Sequence, residues 1–175
     1  DGVIRDIELI RGEGEEFREH FQGRDMIRIG IFLSVFDVHI NRAPCDLTVS
    51  FRSYKPGAFH DARDGRASKE NESLALGGTG TLDGFKFPVV VRQISGAIAR
   101  RIVCQAQAGT QLVKGERYGM IKFGSRTEVF LPAGTDFELE VKVGDRVFAG
   151  STILAKVSKD HGEFDLNGLS AFKEQ

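Results

Sequence analysis

Short apolar runs separated by turn residues dominate the chain. "VIRDIELI", "MIRIGIFLSVF", "LTVSF", "FPVVVRQI", "RRIVCQA" and "VFLP" are rich in Val, Ile and Phe, and none is long enough for a typical helix. That pattern predicts a mainly β domain with few short helices. "EGEEFREHF" (13–21) has helix-like charge density but is short and glycine-flanked, so it reads as a loop or one or two helical turns. "SGAIARRIV" (95–103) offers Ala97 and Ala99 to a short helix, while its neighbours prefer strand. Residues 56–84 are polar and glycine-rich and read as a long connection, of the kind that is usually functional or mobile. Within it, "GGTGT" (77–81) reads as a flexible turn: no Lys follows at the spacing of a phosphate-cradling loop, and no helix follows either.

One segment repeats. "GTQLVKG" from Gly109 and "GDRVFAG" from Gly144 both read Gly-x-x-aliphatic-x-x-Gly, each followed by an aliphatic pair. The glycines would serve turns with positive φ, and Leu112 and Val147 would point inward. A hairpin used twice predicts a pseudo-symmetric β-sandwich or barrel-sandwich hybrid. It resembles the hairpin of biotinyl and lipoyl carrier domains, but the cofactor-bearing Lys of those domains, in Met-Lys-Met or Asp-Lys-Ala, is missing here. A carrier-like domain without chemistry is therefore the weaker reading.

Composition narrows the function. With 24 Lys plus Arg against 25 Asp plus Glu, the overall charge gives no argument for a nucleic-acid partner. Two cysteines without CxxC spacing exclude a zinc cluster and fit a reducing compartment. No apolar run approaches the roughly 20 residues that span a bilayer, and no signal peptide is seen. The opening "DGVIRDIEL" reads like the inside of a domain, which suggests an N-terminal segment removed. Residues 1–160 are expected to form one domain, with 161–175 as a C-terminal tail.

Candidate chemistry lies in three places. In "FDVHINRAP" Asp37 and His39 are two apart and would share one strand face, where a carboxylate can orient an imidazole as a proton acceptor. In "PGAFHDARDG" His60 and Asp61 form a second pair, with Asn71 and Glu72 further on; "NES" also matches a glycosylation sequon, which carries little weight without a secretory signal. Most telling is "YGMIKFGSRTEVFLP", where Gly124-Ser125 interrupts a strand-like run. Such a pair is a bulge or bend, or else a bond at which the serine hydroxyl attacks the preceding carbonyl, a reaction glycine hinders least. Gly150-Ser151 is the same dipeptide and reads as a turn.

Taken in order, "IFLSVFDVHINRAP", "ASKENES", "SGAIARRIVC" and "GERYGMIKFGSRTEVFLP" resemble the short bacterial form of phosphatidylserine decarboxylase, over about residues 27–157, with "DGVIRDIEL" similar to that family's early "ADG" segment. The resemblance implies a proenzyme that cuts itself between Gly124 and Ser125. Ser125 would become a pyruvoyl group, the sole cofactor, on chain 125–175, which stays with chain 1–124. It implies conversion of phosphatidylserine to phosphatidylethanolamine and CO2 in phospholipid biosynthesis, with peripheral contact at the cytoplasmic face of the bacterial inner membrane and a homo-oligomeric state. Another serine phospholipid, archaetidylserine-like, is the alternative substrate. For the processing base, His39 with Asp37 comes first and His60 with Asp61 second. Arg42, Arg126 and the Arg100-Arg101 pair are candidates for the lipid phosphate, since guanidinium matches phosphate bidentately, and Asn71 is a candidate substrate contact. Two positions depart from the family pattern: Asp61 stands where it has Asn, and Ser73 where it has Arg.

Overall fold

The computed structural model describes residues 1–11, 16–98, 101–121, 124–134 and 136–158. The strands in chain order are β1 (Gly2–Ile10), β2 (Met26–Leu33), β3 (Ile40–Arg42), β4 (Asp46–Lys55), β5 (Ser73–Leu82), β6 (Phe85–Ile94), β7 (Ile102–Cys104), β8 (Gln111–Leu112), β9 (Arg117–Ile121), β10 (Ser125–Pro132), β11 (Phe137–Leu139), β12 (Arg146–Val147) and β13 (Ala155–Val157). The described helix is a single turn, α1 (Ala67–Glu70). Eight strands form one antiparallel sheet in the order β12-β1-β2-β10-β6-β5-β4-β8. Two small sheets, β3-β9-β7 and β11-β13, stand against it.

Side-chain alternation explains why the large sheet is buried on both faces. Along β10, Val129 and Leu131 enter the main core with Ile29 of β2 and Val89 and Val91 of β6, against Tyr118 and Phe137 from the small sheets. Phe130 points the other way, into a second cluster with Met26, Val90, Phe17 and Phe21. In β4 a register shift between Val49 and Phe51 re-aims the strand, so Leu47 and Val49 join the first core and Phe51 the second. Residues 16–23, within the stretch expected as loop or helical turns, are turns that place Phe17 and Phe21 on this second face.

The repeat closes both edges of the sheet in the same way. Gly109 N–H donates to the Val49 carbonyl at 2.8 Å and Val49 N–H to that of Thr110 at 2.9 Å. Gly144 N–H donates to Ile4 and Ile4 N–H to Asp145, both at 2.9 Å. Gly109, Gly115, Gly144 and Gly150 all have positive φ, from +80° to +96°, and Leu112 and Val147 are buried. The fold is thus mainly β, with the expected pseudo-symmetry at the two ends of one sheet.

Two expectations are corrected. Residues 56–84 are not one connection, because Ser73–Leu82 is a ten-residue inner strand and "GGTGT" lies in its middle. These glycines are there for space. A Cβ on Gly77 would stand 2.0 Å from the Phe51 ring, and one on Gly78 2.0 Å from the Thr48 carbonyl oxygen. The short helix at 95–103 does not form over its described part: 95–98 is irregular and Ile102–Cys104 is strand, while Ala99 and Arg100 lie outside the described residues.

Gly78→Ala should therefore push β5 from β4 and destabilise the protein by about 1–3 kcal/mol, the usual range for overpacking. Chemical denaturation measures it, and an unchanged midpoint would show that the strands are not this close.

Candidate functional site

Gly124 and Ser125 sit where the chain leaves β9 and enters β10. Gly124 has φ +66°, a left-handed conformation open to glycine at little cost. Its carbonyl faces Gly96 at the end of β6, where a Cβ would lie 1.8 Å from the carbonyl oxygen. Only a residue without a side chain lets that carbonyl occupy its place. Ser125 follows as the first residue of β10, paired with Leu33, and is fully buried. Its hydroxyl oxygen has no hydrogen-bond partner among the described residues. A buried unsatisfied hydroxyl costs about 1–3 kcal/mol, so native folds rarely keep one without a use.

His39 reaches the backbone N–H of the same glycine. The Gly124 N–H donates to His39 Nε2 at 3.2 Å, and the Ile121 N–H holds the His39 carbonyl at 3.1 Å. Because Nε2 accepts a proton donor, it is the unprotonated nitrogen. The ring also bonds the Asp37 backbone carbonyl, which takes the other N–H. Burial lowers the His39 pKa below its usual 6.5, against the opposing pull of Asp37. The imidazole is thus neutral near pH 7, with its Nε2 lone pair on the Gly124 N–H, one residue before Ser125.

Asp37 supports this histidine differently from the strand-face expectation. It lies in the turn between β2 and β3, and its carboxylate accepts from the Ser34 N–H at 2.8 Å and pairs with Arg146. Burial would raise its pKa, but Ser34 and Arg146 bring it below the usual value. His39 is held by the Asp37 carbonyl, with the carboxylate acting only through its field. The second pair separates altogether. Asp61 is clamped by Arg63, whose hydrogen bonds pull it down to about 2, while His60 Nε2 meets Glu70 at 2.9 Å.

The other sequence candidates also have defined places. Asn71 is buried and fully occupied: its Nδ2 donates to the His60 and Ser95 carbonyls and its Oδ1 accepts from the His60 N–H. It ties the 58–60 segment to the end of β6, near Gly96, and has little left for a substrate. Arg126 is not free for a phosphate. It points away from Ser125 into a buried ion cluster, bonded twice to Asp6 at 2.6 Å and to Glu128 at 2.7 Å. Glu128 also accepts from Arg92 Nε and Ser68, each at 2.8 Å. Arg42 is better placed: half-buried, it donates to the Gly115 carbonyl at 2.7 Å and lines a cavity of about 500 Å³. Arg101 is exposed, and Arg100 lies outside the described residues.

The cavity starts one step down the face of β10 that carries Ser125. Leu33 and Thr127 line it, with Ile31, Val91, Tyr118 and Leu154 making it mostly apolar. Beside it runs a polar chain that no sequence pattern marks: Gln93 Nε2 donates to Asn41 at 2.7 Å, and Asn41 Nδ2 to Thr127 Oγ1 at 2.9 Å. Cys45, also in the lining, is no nucleophile at neutral pH, because burial pushes its thiol up to about 12. Among the described residues no helix is long and apolar enough to cross a membrane.

A left-handed glycine, a buried serine hydroxyl with no partner among the described residues and a neutral histidine thus meet where β10 begins in this β domain. The phosphatidylserine decarboxylase family profile matches residues 1–155. Over 137 residues the chain is 50% identical to a phosphatidylserine decarboxylase proenzyme of Geotalea daltonii, covering 78% of this chain and 62% of that protein. Proteins of the same name from Aromatoleum aromaticum and Burkholderia ambifaria are 46% and 42% identical, over 82% and 83% of this chain and 64% and 65% of theirs. No solved structure matches. The chain belongs to the phosphatidylserine decarboxylase family, and the matched region spans a little under two thirds of these relatives.

Gly96→Ala should keep the β fold yet slow any scission at Gly124-Ser125 by about a hundredfold, the usual effect of moving a reacting group by about 1 Å. Mass spectrometry against time reads it, and cleavage at the parental rate would remove Gly96 from the site.

Proposed function

We propose that the chain is the catalytic domain of a self-processing, pyruvoyl-dependent decarboxylase that converts phosphatidylserine to phosphatidylethanolamine and CO2. The observation that carries this reading is the buried Ser125 hydroxyl, unpartnered among the described residues, following left-handed Gly124, with neutral His39 on the Gly124 N–H.

In processing, His39 takes the hydroxyl proton as Ser125 Oγ attacks the Gly124 carbonyl carbon. The carbonyl oxygen has its room at Gly96. The peptide C–N bond breaks, the nitrogen gains a proton to become the α-amine of Ser125, and an ester joins Gly124 to Oγ. Removal of the Ser125 Cα proton then expels Gly124 as a carboxylate, ending chain 1–124. Water replaces the nitrogen of the remaining dehydroalanine, releasing ammonia and leaving a ketone at the start of chain 125–175. Ser125 suits this role because its hydroxyl has no competing bond to break.

The pyruvoyl group supplies an electron sink for the pair left behind when CO2 departs. The residues of the chain do the rest. Arg42, in the cavity lining, is the arginine suited to hold the lipid phosphate, with Lys114 in the same lining. The apolar lining excludes water and accepts hydrocarbon. His39 remains the group beside residue 125 that can return a proton to the substrate α-carbon.

Intact-mass measurement tests the processing step directly: fragments 1–124 and 125–175 are expected, the second with a ketone-bearing N-terminus. Ser125→Ala should stay folded and uncut, and Ser151→Ala should cut normally; the reverse pattern would place the reaction at the other Gly-Ser bond.

His39→Ala should cut about 10²–10⁴-fold more slowly, the usual worth of a general base. Because burial lowers the His39 pKa, the neutral form is already dominant at pH 6.5. The cleavage rate should therefore be flat above that pH and fall only below it. An inflection above pH 6.5 would assign the base to another group.

A further inference from the structure

The turn that carries Asp37 also holds up a phenylalanine. The Ser34 N–H bonds the Asp37 carboxylate at 2.8 Å, the Asp37 N–H bonds the Ser34 carbonyl at 3.0 Å, and Arg146 fixes the same carboxylate from β12. At the tip of this braced turn Phe36 is 95% exposed, with Val35 and Val38 about half exposed on either side. A loosely held phenylalanine could fold back onto apolar surface. This one is kept in the open by five polar groups.

Further exposed apolar residues come to the same place from other elements. Val35 Cγ1 is 3.9 Å from where a Cβ on Gly124 would stand. Ile98, 69% exposed, is two residues beyond Gly96, which abuts the Gly124 carbonyl. Phe148 is half exposed and has the Arg146 guanidinium 6.0 Å from its ring centre. Exposed Arg101 follows Ile98 closely in the chain. The patch therefore borders the Gly124-Ser125 bond, combining aromatic and aliphatic tips with guanidinium groups, a composition suited to the boundary between lipid headgroups and acyl chains.

We propose that the Ser34–Val38 turn inserts Phe36 into the surface of a phospholipid bilayer, holding the Gly124-Ser125 site against the lipid. This rests on the reading of a phospholipid as substrate. A bilayer is favoured over a protein partner because the exposed apolar residues form a small tip on the Ser34–Val38 turn with Ile98 and Phe148 on other elements, whereas a stable protein interface needs a continuous surface of about 1,000 Å² or more. The one acidic group in the turn, Asp37, is already neutralised by Arg146, so an anionic lipid surface meets no bare carboxylate there.

The chain contains no Trp, so Phe36→Trp gives a single reporter. Added to vesicles of phosphatidylcholine and phosphatidylserine, this variant should shift its emission to the blue and be quenched by lipids brominated on the acyl chain. Phe36→Ser should bind the vesicles roughly 10- to 100-fold more weakly than the parent, the loss expected when one phenylalanine no longer enters an apolar phase. Unshifted emission with vesicles overturns the proposal, as does undiminished binding by Phe36→Ser or a parent chain that does not bind. A blue shift on raising protein concentration without lipid also overturns it, because a second copy would then cover the turn. Mass measurement on the same samples separates the two readings. Uncut protein that inserts Phe36 supports the surface while removing the decarboxylase reading, and cut protein that fails to insert removes the surface alone.

Discussion

Glu128 is a carboxylate with no exposure at all, in the middle of an eight-stranded sheet, and the arrangement of the site depends on how it is satisfied. Burial would push its pKa up, but Arg92, Arg126 and Arg28 hold it below its ordinary value. Those arginines come from β6, β10 and β2, three strands that lie side by side within the sheet. Ser68 of α1 adds a hydroxyl, so even the short helical turn is drawn into place. Taking a single partner from a buried ion pair typically costs about 3–5 kcal/mol. A cluster of this kind tolerates little slippage between strands, and Ser125 is only three residues away on the same strand.

Alternation along β10 passes that rigidity on to Ser125. The even positions, Arg126 and Glu128, lock one face, while Ser125 shares the opposite face with Thr127, which lines the apolar cavity and joins the Gln93–Asn41 chain. A slip of one residue would send the serine into the ion cluster and the arginine into the cavity. The same two-residue period thus places the ion cluster and the proposed site on opposite sides of a single strand.

Much of this was legible in the sequence, because strand-forming runs and turn glycines act locally. The repeated Gly-x-x-aliphatic-x-x-Gly announced both sheet edges, since a positive φ at its ends and a buried residue at its centre are properties of the hairpin itself. β5 was not legible. Its glycines answer to Phe51 and Thr48 across the sheet, and no local pattern distinguishes such a strand from a flexible loop. Asp37 and Arg126 were misjudged for the same reason: their partners, Arg146 and Asp6, are more than a hundred residues distant in the chain. Gly96 could have been found only by asking why a glycine ends a Val-rich strand.

The position of β10 between β2 and β6 bears on the order of events in the life of the protein. A break before Ser125 leaves β10 enclosed by two strands of the upstream piece, with β12 paired to β1 at the far edge. The pieces are interleaved rather than merely docked. Before the break, assembly of the sheet is a first-order process within one molecule. Afterwards, denatured pieces must find each other, so recovery becomes second-order and depends on concentration. Scission at that bond would therefore act as a ratchet: the fold is easily regained until the bond is cut, and afterwards its persistence rests on how slowly the sheet opens.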